Sequence, residues 1–258
     1  MNPRVLITGA SSGIGLELAK IFAQNNHDLV IVARSEDKLL ELAQELERKN
    51  NIKVKVIVRD LTEPMASYLL YSQLIHEKIN IDILINNAGF GTFGHFVTTD
   101  LRKQTDMLQL NIIALTQLCH YFGKEMIKAG KGQILNIAST AAFQPGPLMA
   151  VYFASKAYVL SFSEALHNEF SDKGVSVSCL CPGLTETGFQ RTAVMEEVGM
   201  VKGKKMMSAA EVAETAFKGL IKNKTIIIPG IKNKLLAFSV RFSPRSLVTK
   251  VARSIMEK

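Results

Sequence analysis

Short apolar runs rich in valine and isoleucine recur along the chain, at Arg4–Thr8, Asp28–Ala33, Ile52–Val58, Ile81–Asn86, Gly132–Ala138, Val175–Leu180 and Thr225–Ile228. Continuous apolarity means strands buried on both faces. Between them the pattern changes to a helical period: Ile14, Leu18, Ile21 and Phe22 recur at helix spacing, and Glu36–Lys49 alternates charge with leucine. Helical patterns also cover Pro64–Lys78, Leu101–Lys128, Tyr152–Lys173 and Ala209–Lys222. Strand and helix in strict alternation predict a single α/β domain: a doubly wound sheet of about seven mostly parallel strands with helices on both faces. Ligands of such sheets bind beyond the strands' C-terminal ends. The least regular stretches, Ser139–Ala150 and Leu184–Met207, both follow strands and so belong on that side.

Several of these strand ends carry candidate chemistry. Thr8-Gly-Ala-Ser-Ser-Gly-Ile-Gly15 joins the first strand to the first helix. Glycines let the backbone turn tightly against a diphosphate, and the helix N-terminus supplies N–H groups and a positive dipole end. An ordinary tight βα turn is the plainer alternative; the position between a strand and an amphipathic helix favours the phosphate cradle. The second strand ends Val32-Ala33-Arg34-Ser35, without the carboxylate that would take adenosine ribose hydroxyls. Arg34 offers instead a planar cationic fork suited to a 2′-phosphate, with Ser35 and the backbone at Ser11 and Ser12 as further phosphate contacts. A solvated arginine capping the next helix is the plainer alternative. Tyr152 and Lys156 stand four residues apart and project from one helix face. An ammonium beside a phenol favours the phenolate, moving a group of ordinary pKa near 10 toward acid/base work.

Five motifs in order, TGxxxGIG from Thr8, Asn86-Asn-Ala-Gly89, Ser139, Tyr152-Phe-Ala-Ser-Lys156 and Pro182-Gly183 with Thr187, resemble the short-chain dehydrogenase/reductase family, NADP(H)-preferring type. The likeness runs from Arg4 to about Thr187. It implies a Rossmann-type fold and NADP(H)-dependent interconversion of a carbonyl and an alcohol. By this resemblance Tyr152 is the acid/base, while Lys156 assists it and holds the nicotinamide ribose. Ser139 donates to the carbonyl oxygen; Thr140 competes for that role, but the spacing to Tyr152 favours Ser139. Asn111 would hold a water that relays protons, although a helix bend or a buried amide contact would also explain an asparagine there. The cofactor would lie on Gly9, Ser11, Ser12, Gly13, Ile14, Gly15, Arg34 and Ser35. Asp60 and Leu61 would border its adenine, unless Asp60 merely caps a helix with Thr62. Asn87, Ala88 and Gly89 would floor the ribose, though a plain polar turn reads the same. Pro182, Gly183, Thr185 and Thr187 would meet the nicotinamide carboxamide.

Further readings rest on position and composition. Phe143, Leu148, Met149 and Phe189 are candidate walls for an apolar substrate, under a lid at 184–207 that contains Met195, Met200, Met206, Met207 and the run Lys202–Lys205. Within enzymes, a 3-oxoacyl thioester reductase and a hydroxysteroid dehydrogenase stay open; outside them, an NADP(H)-binding sensor or scaffold. The latter would not need Ser139, Tyr152, Lys156 and Asn111 together. His, Cys and carboxylates form no metal-ligand spacing, so no metal is expected.

The net charge is +8, yet residues 231–258 hold seven basic side chains against Glu257 alone, a net +6. The expected organisation is therefore a catalytic unit over 1–230 and a basic amphipathic extension over 231–258. Leu247, Val248, Val251, Ala252 and Ile255 form a helical stripe there. Such a helix can lie on an anionic membrane or dock on its own domain or another subunit; docking is the preferred reading. Charge confined to the extension, without aromatic interleaving or a known module, gives no support for nucleic acid. With 47% hydrophobic residues, three cysteines without disulfide or metal spacing and neither a signal peptide nor a spanning stretch, the chain reads as cytoplasmic. A homodimer or homotetramer is expected from the resemblance.

Overall fold

The computed structural model describes residues 2–189 and 206–257. The core of the expected lid, 190–205, with Met195, Met200 and Lys202–Lys205, lies outside the described residues. Nine strands occur in the described chain: β1 (Arg4–Thr8), β2 (Asp28–Ala33), β3 (Val54–Val58), β4 (Ile83–Asn86), β5 (Gly132–Ile137), β6 (Val175–Leu180), β7 (Thr185–Glu186), β8 (Met207–Ser208) and β9 (Ile226–Ile227). Seven of them form one parallel sheet in the order β3-β2-β1-β4-β5-β6-β9. Every apolar run becomes one of these strands, trimmed by a residue or two where the ladder begins or ends. The β7–β8 ribbon pairs Thr185 with Met207 and was not expected.

Sheet and helices exclude water from two apolar layers. Helices α1 (Gly13–Gln24), α2 (Glu36–Lys49) and α7 (Ala209–Ile221) cover one face, placing Leu18, Phe22, Leu39 and Val212 against Ile7 and Ile31. Helices α3 (Ala66–His76), α5 (Leu115–Ala129) and α6 (Ala150–Ser171) cover the other, with Leu70, Phe122 and Val159 over Leu6, Leu84 and Ile134. This is the two-faced burial that the continuous apolar runs require. Helix α4 (Leu101–Leu108) passes into α5 through a π-turn at Gln109–Ala114, so the expected single helix carries one widened turn.

Strand order reverses direction between β1 and β4, which opens a crevice at the strands' C-terminal ends. The extension folds as α8 (Ile231–Ser239) and α9 (Arg245–Glu257). It touches the domain through few residues. In α8 Asn233 seats against Gly183, whose missing Cβ leaves room for the amide, and Ala237 is buried. In α9 Ala252 and Met256 are buried, Met256 beside Met107, Met149 and Tyr152. The expected stripe is therefore split: Ala252 faces inward, whereas Leu247, Val251 and Ile255 stay exposed one strip further round the helix. Among the described residues no helix is long and apolar enough to cross a membrane.

Candidate active site

At the end of β1 the chain must turn from strand to helix without blocking the crevice. Gly9 and Gly13 do this at φ +68° and +57°, a left-handed conformation costly for other residues. A Cβ on Gly9 would lie 2.9 Å from Ala88 Cα, and one on Gly15 would run into the Asn87 amide. Gly15 is thus buried under the turn, where it lets α1 approach β4, while Gly9, Ser11, Ser12, Gly13 and Ile14 line the crevice itself. Ser12 begins α1 without a side-chain cap, so the first-turn N–H groups point toward the crevice unclaimed by that hydroxyl.

The floor is fixed from the next strand. Thr8 Oγ1 donates to the Ile85 carbonyl at 3.3 Å and accepts from the N–H groups of Asn87 and Ala88, each at 3.0 Å. Asn87 Nδ2 in turn donates to the carbonyls of Thr8 and Gly9. The Asn-Asn-Ala-Gly motif is therefore a clamp between β1 and β4 as well as crevice lining. Asn86 points away, its amide donating to Asn136 Oδ1 at 2.9 Å in the core.

The crevice has a volume of about 610 Å³ and two chemically different ends. At the β2–β3 end, Arg34 is 74% exposed in its side chain and pairs with Asp60 at 3.5 Å. Ser35, Lys38, Arg59 and Leu61 line the same end. Lys38 and Arg59 had not been anticipated. Lys38 stands four residues after Arg34, one helical turn on, and the Arg59 N–H bonds the Ala33 carbonyl across parallel β2 and β3. Both positions follow from Arg34 once the strand pairing is known. Asp60 also accepts from the N–H and hydroxyl of Thr62, but this closes a local turn and does not cap a helix, since α3 starts only at Ala66 with Met65 as its N-cap. Burial alone would raise its pKa, but the Thr62 hydrogen bonds and the Arg34 charge hold the carboxyl below its ordinary value.

The other end gathers Ser139, Thr140, Tyr152 and Lys156 with Pro182, Gly183, Thr185 and Thr187. Ser139 caps a short 3₁₀ turn, accepting from Ala141 N–H at 3.1 Å. Tyr152 and Lys156 share one face of α6, both buried, with Lys156 Nζ 5.8 Å from the Tyr152 ring centre. Burial drives the Tyr152 phenol up to about 12, against a smaller lowering by its hydrogen bond with Ser139. The same desolvation brings the Lys156 ammonium down to about 8. Its Nζ donates to the Ile137 carbonyl at 2.8 Å.

Asn111 lies on the π-turn, buried behind this end and not in its lining. Its Oδ1 accepts from Phe90 N–H at 3.2 Å, and its Nδ2 donates to the Phe90 carbonyl and Ser155 Oγ. Of the alternatives raised for it, the buried amide contact is present, and the helix there is widened into a π-turn. Thr187 Oγ1 accepts from Phe189 N–H, bringing the Phe189 ring to 5.2 Å from that of Tyr152. Phe90, Met149, Phe153 and Leu184 complete an apolar wall. One expected wall residue lies elsewhere: Phe143 lines a separate hollow with Val240 and Val248. Leu148, at φ +65°, packs against the cluster of Met149, Tyr152 and Phe153 without lining the crevice itself, and its carbonyl accepts from Gly94 N–H. Among the described residues no cluster of His, Cys and carboxylates is gathered that could hold a metal, and all three cysteines are buried thiols.

The chain is similar to many known proteins. A short chain dehydrogenase family model matches residues 3–197. Among curated relatives, mouse 17-beta-hydroxysteroid dehydrogenase type 3 is 36% identical over 70% of this chain, and duck very-long-chain 3-oxoacyl-CoA reductase 35% over 69%. The matched segments span only 60% and 58% of those relatives' lengths. A solved short-chain dehydrogenase from Sphingobium yanoikuyae, in complex with NADPH, is 34% identical with a TM-score of 0.85, covering 95% of this chain and 94% of its own. The bulky-bulky ketone specific alcohol dehydrogenase from Comamonas testosteroni is 32% identical with a TM-score of 0.80, covering 93% and 92%. With that coverage and the five motifs standing in one crevice, the chain belongs to the short chain dehydrogenase family.

Proposed function

We propose that this protein is an NADP(H)-dependent oxidoreductase interconverting a bulky apolar ketone or aldehyde and its alcohol. The observation that carries the reading is the polarity of one crevice: a cationic rim of Arg34, Lys38 and Arg59 at one end, and Ser139, Tyr152 and Lys156 at the other. The residues fit a dinucleotide. The glycine turn leaves backbone N–H groups at the α1 terminus for a diphosphate, and a side chain at Gly9 or Gly13 would intrude on the opposite wall. Arg34 and its neighbours would hold a 2′-phosphate, with Asp60 and Leu61 at the adenine and Asn87, Ala88 and Gly89 beneath the ribose. Pro182, Gly183, Thr185 and Thr187 would hold the carboxamide. When bound, the nicotinamide supplies or accepts the hydride.

The chain's own groups manage the oxygen and the proton. In reduction, Ser139 and Tyr152 donate hydrogen bonds to the carbonyl oxygen, and the Tyr152 hydroxyl transfers its proton to the forming alkoxide. A phenol kept neutral by burial is in the form that reduction needs. The Lys156 ammonium stabilises the phenolate left behind, which regains its proton from solvent before the next turnover, and Asn111 supports the backbone of Phe90 beside it. Phe90, Met149, Phe153, Leu184 and Phe189 exclude water and favour an apolar substituent. Relatives named for a hydroxysteroid, a 3-oxoacyl-CoA and bulky ketones support a large apolar substrate class. The exposed side chains of Leu101, Leu108, Ile113 and Tyr158 on the outer faces of α4, the π-turn and α6 support a contact between copies of the chain. Location in the cytoplasm remains part of this reading.

A carbonyl panel assayed with NADPH and NADH in parallel tests the proposal. Tyr152→Phe is expected to lower kcat by roughly 10²–10⁴-fold while NADPH binding, followed by fluorescence, persists. Equal turnover by wild type and variant would remove Tyr152 from the chemistry; NADPH binding without turnover of any carbonyl in the wild type would favour a sensor.

A further inference from the structure

The extension's outward face is built for something the isolated chain does not contain. Asn233 and Ala237 turn α8 toward the domain, which leaves Ile231, Leu235 and Phe238 in a row on the opposite side. Their exposures are 75%, 65% and 59%. Phe242 continues the row, 74% exposed with its ring centre 5.0 Å from that of Phe238. On α9, Leu247, Val251 and Ile255 add a second exposed apolar row. Large side chains so exposed and contiguous are unusual on a soluble surface.

Charge identifies the occupant. Lys232 and Lys234 flank the α8 row, one on each side of the helix. The extension carries a net +6, and its one acidic side chain, Glu257, is engaged by Arg253 at 2.7 Å. A second copy placed face to face about a two-fold axis would bring like charges together. An apolar ridge with ammonium groups along its flanks instead matches the boundary of an anionic bilayer, where acyl chains receive the ridge and lipid phosphates meet the lysines. We propose that α8 and α9 form a peripheral docking surface for anionic membranes. This reading is independent of the catalytic proposal, and it reverses the preference, drawn from the sequence, for docking on the chain's own domain or another subunit. The helices dock by one strip and present the other.

Co-sedimentation of the full chain with phosphatidylcholine vesicles, with and without phosphatidylglycerol, tests the surface. The wild type is expected to partition onto the anionic vesicles in preference to the neutral ones. Combining Leu235→Ser, Phe238→Ser and Phe242→Ser should weaken partition by roughly tenfold or more with the melting temperature unchanged. Lys232→Gln with Lys234→Gln should weaken it by roughly fivefold per charge. Equal affinity for both vesicle types, no binding to either, or a triple serine variant that binds like wild type would overturn the proposal. So would light scattering showing, without lipid, that the triple variant splits an assembly of the wild type, since the face would then belong to a second copy.

Discussion

Lys156 keeps its ammonium in a site where burial opposes the charge. Its pKa falls from an ordinary 10.5 to about 8, so the folded protein binds fewer protons than the unfolded chain between those values. Stability attributable to this group therefore rises as pH climbs from about 8 toward 10.5, and below 8 the full cost is carried. That cost is roughly 3 kcal/mol. Lys156→Met should abolish turnover yet raise unfolding stability near neutral pH by up to that amount, less the lost bond to Ile137. Urea denaturation of both proteins across the alkaline range checks it: the gap is expected to close as pH rises, and parallel curves would disprove the assignment. At the opposite end, Arg34 meets Asp60 only in an exposed pair, worth ~1 kcal/mol at most, so a phosphate can claim it readily. Arg34→Ala should weaken NADPH relative to NADH by roughly 10–100-fold, read from the two KM values. Arg34 was legible in the sequence because it sits at a strand end fixed by the alternating pattern, and Lys156 because it stands one helical turn from Tyr152. Lys38 and Arg59 were not, since their place beside Arg34 depends on the β2–β3 register.

Elements show where the reading of the sequence stops. The seven sheet strands were legible because parallel strands covered on both faces are predominantly apolar, although β3 at the sheet edge is only partly buried and Asn136, Ser176 and Ser178 interrupt β5 and β6. Two-residue strands such as β7 and β8 carry no period, and a π-turn needs one residue more per hydrogen-bonded loop than any spacing rule signals. Loop side chains were also hidden: Phe143 and Met149 both follow β5, yet they face different hollows, Phe143 at the end of the 3₁₀ turn and Met149 at the N-cap of α6. The Thr8 clamp belongs to this scale, as one hydroxyl satisfies three backbone groups of a neighbouring strand and its loop. Thr8→Val preserves shape while leaving two part-buried N–H groups without that acceptor. A loss of about 2–4 kcal/mol in unfolding free energy is expected, with weaker NADPH binding; Thr8→Ser should retain most of both. Chemical denaturation and cofactor titration of the pair check this, and equal behaviour of the valine and serine variants would show that packing, not the hydroxyl, holds the floor.

At the scale of the whole molecule the charge is divided. The extension holds +6 of the net +8, so nearly neutral catalytic surfaces are joined to a strongly basic appendage. The family match ends at 197, before α8 and α9 begin, so the shared motifs describe the crevice and leave the appendage to be read from its own residues. Sequence pattern exposed its charge and helical stripe, but not which strip of the helix would be buried. That depended on Gly183 making room for Asn233 and on Met256 reaching the Tyr152 cluster. Through those two contacts the appendage touches both the Pro182–Gly183 turn and the apolar end of the crevice.

The Thr8 clamp also has a history in time. Its partners lie 77 to 80 residues further along the chain, and three connections, through α1, α2 and α3, separate β1 from β4. Contacts that close such long stretches form late, after local helices and the β1–β2 pairing have collapsed. A bond made after the rate-limiting barrier slows escape from the native state without hastening arrival there. Thr8→Val is therefore expected to leave the main refolding rate almost unchanged and to accelerate unfolding. The nucleotide floor would then act as the latch that sets the lifetime of the folded protein.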